Sequence, residues 1–357
     1  MDAGAVRLGR VETASFTVRR ALVRLAALCA AALLLAIGVT VAVQEARPGL
    51  FQSGPIRSPP LPLPRVDAHQ HLTPGAVELA IRIAEVHGIG ALVNLSGGAE
   101  GGALEAQLEA ARPYGERIAT FMNPDPRGCC DEAWAVREAA RVARGRALGA
   151  RGLSLEITPG HDFAAAPTRP LFEACAALGL PVAVSAVGAP GAVRALAARH
   201  PLVTFVAAHF AERAEDPAAA RRLMDELPNL WIDRAGRVAE LGQQPDATRA
   251  AILAHPDRVL FGTGVRYVES GGSRGIVLGA GDPILLDDQL LGGQERRVFF
   301  DATLRFLESR DPGLPDPIPG RELPGPAGLG LPREVLERLY HQNAERLLRL
   351  RAVRVQG

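Results

Sequence analysis

After residue 64 the chain alternates short apolar runs with Ala-, Leu- and Arg-rich segments, and this rhythm constrains the fold more than any other feature. The runs Arg65–His69, Ala91–Leu95, Ile118–Met122, Gly152–Ile157, Val182–Ala186, Thr204–Ala208, Leu230–Asp233 and Val259–Gly262 read as strands. Helical stretches separate most of them, among them Ala76–His87, Ala133–Leu148 and Ala218–Leu227. Strands that alternate with helices form parallel sheets, because each crossover returns the chain to the same edge direction. Eight such units predict an α/β fold, a (β/α)8 TIM barrel over 65–350, with an open doubly wound sheet as the alternative. No G-x-G-x-x-G follows the first strand, which argues against a dinucleotide site. Between Val265 and Leu331 the rhythm is lost in Gly- and Pro-rich sequence, predicting an irregular insertion over the barrel mouth. Within it, Glu295–Ser309 is expected to be helical, with Phe299, Ala302 and Phe306 as a packing stripe. Pro332–Leu350 is expected to be the closing helix.

The segment before the barrel reads as an address. Residues 1–24 form a basic leader with five Arg at positions 7, 10, 19, 20 and 24. Residues 25–43 follow as an uncharged apolar run of about the length that crosses a bilayer core. The Arg bias places the leader in the cytoplasm and the barrel outside. The expectation is a single-pass transmembrane anchor in the cell's inner membrane, with secretion after signal cleavage as the alternative. Residues 44–64 are rich in Pro and predict a semi-rigid spacer. The net charge of +1 provides no electrostatic footprint for nucleic acid. All forty basic residues are Arg, which excludes a Lys Schiff base or a carbamylated Lys between two metals. Cys29, Cys129, Cys130 and Cys175 make no disulfide framework and are expected to be thiols, buried in the folded part.

Active sites of such barrels lie at the C-terminal strand ends. Strand alternation puts Asp67, His69 and His71 on one face of the first strand, and two imidazoles there can share a divalent ion. On the fourth strand Ser154 and Glu156 face the mouth, with Glu156 as a metal ligand, a base or an Arg partner. On the sixth, Phe205, Ala207 and His209 share a face, and His209 is a ligand, an acid/base group or packing. His161, in the loop after strand four, is expected to be solvated. Asp233 on the seventh strand is expected to pair with Arg234 or Arg237.

The order of motifs resembles the amidohydrolase superfamily, in its amidohydrolase-related branch with decarboxylase-like members. Val66-Asp67-Ala68-His69-Gln70-His71 is similar to its first-strand D-x-H-x-H. Gly149-Ala150-Arg151-Gly152-Leu153 resembles its fourth strand, and His200-Pro201 through Ala208-His209 its sixth. Pro228–Asp233 resembles the next strand, Asp257–Thr263 the eighth, and Leu331–Val335 with Asn343–Leu348 the closing helix. The resemblance implies one divalent metal, usually zinc, held by two first-strand His, a fifth-strand His and an eighth-strand Asp. It also implies a sixth-strand His, here His209, that polarises substrate or water. At the fifth-strand and eighth-strand positions this chain carries Ser185 and Gly264, and Ser154 stands where relatives have Lys.

Two expectations follow. In one, the chain is a metal-dependent hydrolase or decarboxylase-like lyase acting on a small molecule. His69 and His71 then bind metal, His209 is catalytic, and Glu156 is the third ligand or the base. In the other, it is a catalytically inactive, membrane-tethered barrel that binds a ligand or protein partner.

Overall fold

The computed structural model describes residues 60–158, 163–186, 189, 191–270, 273–278, 284–285, 291–318, 321 and 324–350. The chain divides into two compact units at Gln52/Ser53, the first of them outside the described residues. The expected leader, the span 25–43, most of the spacer and His161 also lie outside them. No helix among the described residues is long and apolar enough to cross a membrane.

Eight parallel strands follow one another in sheet order: β1 (Val66–Leu72), β2 (Ala91–Asn94), β3 (Ile118–Met122), β4 (Gly152–Glu156), β5 (Val182–Ser185), β6 (Phe205–Ala207), β7 (Leu230–Asp233) and β8 (Val259–Leu260). The sheet closes on itself where Ala68 N donates to Phe261 O at 2.8 Å and Gly264 N donates to His69 O at 2.9 Å. Past β8 the same wall continues as β9 (Val265–Ser270), which pairs in parallel with β1 and turns back antiparallel as β10 (Ser273–Val277). The stretch expected to be irregular therefore begins as an extension of the barrel wall. The helix expected at Glu295–Ser309 runs from Leu291 to Glu308, with Phe299, Ala302 and Phe306 buried.

Local chemistry sets the helix ends. Asp131 caps Glu132–Leu148 by accepting from Trp134 N at 2.7 Å, and Gly149 follows the last turn. Asp216 caps Pro217–Glu226 through Ala219 N, with Pro at the first helical position. One layer of the core is small and aliphatic: Val66, Ala68, Ala91, Val93, Ala119, Ala183 and Val206. Ala344 and Leu348 of the last helix, Asn343–Leu348, belong to the same cluster. The opposite strand faces, including Leu92, Leu153, Val182 and Ile232, pack with helix residues such as Ile81 and Phe172.

Leu61 N donates to Glu308 Oε2 at 2.8 Å, and Leu63 is buried. Glu308 also meets buried Arg65 at 3.4 Å and accepts from Tyr340 Oη at 2.7 Å. The last residues expected in the spacer are thus bound to the domain, and the chain enters the barrel at the start of β1, opposite the strand ends that bear the His residues.

The thiol expectation holds at Cys175 and fails at Cys129 and Cys130. Cys129 and Cys130 are half-buried and joined to each other as a disulfide. Cys175 is a buried thiol, and burial pushes it up to about 12.

Candidate active site

A β-bulge decides what the first strand presents. The register between β1 and β2 shifts between Asp67 and Gln70. Val66 and Ala68 pack in the small aliphatic core, so unbroken alternation would turn His69 away from that face. The extra residue returns His69 and His71 to the mouth and leaves Asp67 behind. Asp67 is buried and accepts from Thr263 N at 2.9 Å, Thr263 Oγ1 at 2.6 Å, His69 N at 3.2 Å and Gln70 Nε2. The expected common face of Asp67, His69 and His71 is therefore wrong for Asp67, which ties β1 to the end of β8.

The sixth strand departs from simple alternation as well. Phe205 and Ala207 pack under the helices, but the chain then enters a left-handed turn in which His209, Phe210, Ala211 and Glu212 have φ of 55°, 60°, 56° and 54°. Each such residue costs roughly 1–2 kcal/mol against the right-handed form. The turn swings His209 into the cleft. Asp233 Oδ1 accepts from His209 N at 3.1 Å, while Ser185 Oγ and Arg237 meet Glu212 at 3.3 Å and 3.2 Å.

Three imidazoles meet here. His69 Nδ1 donates to Asp233 Oδ2 at 2.9 Å, and His209 Nδ1 donates to Ala235 O at 2.8 Å. His71 Nδ1 pairs with Ser96 Oγ at 2.7 Å. In each ring Nδ1 is occupied by an oxygen partner, and the charge of Asp233 raises His69 against the opposing effect of burial. The Nε2 atoms of His69 and His71 are 3.2 Å apart, and the His69 and His209 ring centroids 4.8 Å apart. Burial and then the neighbouring His69 push His71 down to about 3, and the same causes lower His209, so both rings are neutral. Burial works against the Asp233 carboxylate, but the charge and hydrogen bond of His69 hold it at about 2.

Asp233 was expected to pair with an Arg. It binds His69 instead, reaching from the end of β7 past β8 to the end of β1. Arg237 meets Glu212 and Glu240, and Arg234 lies buried over the Phe261 ring at 4.8 Å. The sequence did hold a signal for Asp233: an acid at the last position of a barrel strand. Ser96, two residues beyond the end of β2, carried no such mark.

The cleft around these rings has a volume of about 720 Å³ and is bordered by Ser154, Glu156, Ser185, Arg237, Arg266 and Arg321. Glu156 is exposed there and stands outside the His69–His209–Asp233 group. It borders the mouth as expected, at the end of β4. Gly264 has φ +76°, and a Cβ there would meet Gly236 N at 3.3 Å and Ala235 Cβ at 3.4 Å. The backbone at this strand end takes a conformation that favours glycine, so an acid at this position would be strained. At Gly262 a Cβ would come within 2.9 Å of the His69 Cβ, so the bare backbone there gives His69 its place.

A family model described as Amidohydrolase matches residues 66–350. An uncharacterized TIM-barrel protein from Bordetella bronchiseptica is similar in structure, with TM-score 0.53 and 17% identity over 80% of this chain and 99% of that one. A probable 2-pyrone-4,6-dicarboxylic acid hydrolase from Acinetobacter baumannii, crystallised with citric acid, has TM-score 0.50 and 12% identity over 81% of this chain and 100% of that one. At such identities the two likenesses show the (β/α)8 barrel fold. No curated protein matches the chain in sequence. The family match spans the whole barrel, from the bulged first strand to the closing helix, and the chain belongs to the amidohydrolase family.

Proposed function

We propose that the chain is a metal-dependent hydrolase, or a decarboxylase-like lyase, acting on a small carboxylate-bearing molecule outside the cytoplasm from a membrane-tethered barrel. The observation that carries this reading is the His69/His71 pair. Two ligand nitrogens on one tetrahedral zinc lie about 3.3–3.4 Å apart for bonds of 2.0–2.1 Å, and the two Nε2 atoms stand at 3.2 Å. The residues present fit a divalent ion. Such an ion supplies an acidified water and polarises a carbonyl.

The chain's own residues do the rest. Asp233 accepts from His69 Nδ1, so Nε2 is the atom that would give up its proton and face an ion. Glu156 is the acidic side chain bordering the cleft and is placed to take a proton as base. Arg266, two residues beyond Gly264, is an exposed cation of the cleft, and no acid among the described residues pairs with it. A guanidinium left in that state is suited to a substrate carboxylate. The glycine at this strand end, where an acid would be strained, favours a second reading, a barrel that binds such a ligand without turning it over.

Turnover of a panel of small lactones and aromatic carboxylates by the full chain in detergent tests this. The expected result is activity on at least one carboxylated compound, lost on chelation and restored by zinc. Arg266→Ala should lower kcat/KM by roughly 10–100-fold, as expected for losing one hydrogen bond to a charged group. Activity indifferent to chelation contradicts the metal reading. Binding without turnover by the zinc-loaded chain supports the second reading.

A further inference from the structure

We propose that Glu212 is the positioning residue of His209: tied at once to the end of β5 and to the segment beyond β7, its carboxylate holds the left-handed turn that presents the His209 ring to the cleft. The proposal rests on the reading of this cleft as the reacting site, but the turn itself can be followed without any reaction.

Nothing in the local sequence favours the turn. Residues 209–212, His-Phe-Ala-Glu, hold φ between 54° and 60° without a glycine or an asparagine. Such a run persists only where the surrounding fold imposes it. Its start is imposed from beyond β7: His209 N donates to Asp233 Oδ1 at 3.1 Å, and the ring Nδ1 donates to Ala235 O at 2.8 Å. Its middle is buried, with Phe210 and Ala211 in the core. Its end is held through a side chain. Ser185 Oγ donates to Glu212 Oε1 at 3.3 Å, and Arg237 Nη2 donates to Oε2 at 3.2 Å. These partners come from β5 and from the segment after β7, the two strands that flank β6. One carboxylate thus ties the end of the turn to both neighbours of the strand it leaves.

Glu212 acts from behind the ring. With Ala211 it borders a separate crevice of about 140 Å³, whereas His209 borders the cleft of about 720 Å³. Arg237 is itself steadied by Glu240 at 3.8 Å, which also meets Arg321 at 2.8 Å. Ser185, at the position where the resemblance implies a His, is one of the two groups that hold this carboxylate.

Backbone hydrogen exchange of residues 208–213, in the metal-free full chain in detergent, tests the proposal. Glu212→Ala should speed exchange there by roughly 10–100-fold, as for losing hydrogen bonds to a charged group, with the rest of the barrel unchanged. Glu212→Gln keeps one acceptor oxygen and should lose less. Adding Ala211→Gly to Glu212→Ala should recover roughly 5–30-fold, because glycine removes the Cβ cost of a left-handed residue. Nitrogen-15 spectra of the histidine-labelled chain report the ring. The Nδ1-protonated form of His209 should dominate in the wild type and give way to a mixture of tautomers in Glu212→Ala. If that variant does not fold, Ser185→Ala, which takes away one of the two bonds, should move both readouts in the same direction by a smaller amount. Unchanged exchange and an unchanged tautomer in a folded variant overturn the proposal. So does an equal loss in Glu212→Ala and Glu212→Gln without rescue by glycine, the result expected if only the charge of Glu212 mattered. Neither readout uses substrate or metal, so a chain without turnover strikes the reading of the cleft and leaves this result to stand or fall by itself.

Discussion

Asp233→Asn is expected to cut turnover by roughly 10³–10⁴-fold while the barrel stays folded, an effect comparable to that seen when a His-orienting Asp becomes Asn in a serine protease triad. The carboxylate can only accept, and three N–H groups point at it: His69 Nδ1, His209 N and Ala235 N. Asn offers one acceptor oxygen and two donors. If the oxygen keeps the two backbone donors, the amide NH2 faces His69 Nδ1. The ring then has to accept there, its proton moves to Nε2, and the lone pair facing the cleft is gone. Zinc affinity should fall by about 10–100-fold through this one change. Steady-state kinetics at saturating zinc, with chelator titration, measures both effects. Unchanged affinity and rate would show that the His69 tautomer is not set by Asp233.

Asp67→Ala is expected to act on stability rather than chemistry. The side chain is fully buried and receives four donors from His69, Gln70 and Thr263. Removing it orphans His69 N, Thr263 N and Thr263 Oγ1 at the joint where β1 meets the end of β8, while Gln70 Nε2 keeps Thr263 Oγ1. Leaving such a network unpaired costs about 3–5 kcal/mol, a fall in Tm of roughly 10 °C for a domain of this size. Thermal unfolding of the metal-free chain checks this without interference from ligand loss. A shift under about 2 °C would mean that water or a neighbouring group replaces the carboxylate, given the usual 2–4 °C per kcal/mol.

Much of the barrel was legible because strand runs and helix runs differ in period. Ile118–Met122 and Leu230–Asp233 stand where the apolar pattern puts them, and the other barrel strands differ by a few residues at their ends. What alternation could not carry was any place where the backbone breaks it. The bulge on β1 separates Asp67 from His69, and nothing in the residues VDAHQH marks it. The left-handed turn after β6 carries no glycine, so its sequence, AHFAE, reads as the start of an ordinary helix. Asp233 was misassigned because sequence neighbours, Arg234 and Arg237, looked like its natural partners, whereas barrel closure brings a strand distant in sequence closer than either. The same closure makes the substitutions at Ser185 and Gly264 look different. In the linear sequence they are lost ligands; in the folded chain one braces the His209 turn and the other fits a crowded backbone.

The central claim, that His69 and His71 hold one divalent ion, is tested most directly by elemental analysis of the purified full chain and of His69→Ala, each after incubation with zinc and removal of free metal. The account predicts about one zinc per wild-type chain, as one mononuclear catalytic site requires, and none above background in the variant. No zinc in the wild type, or a full equivalent retained by His69→Ala, would contradict it.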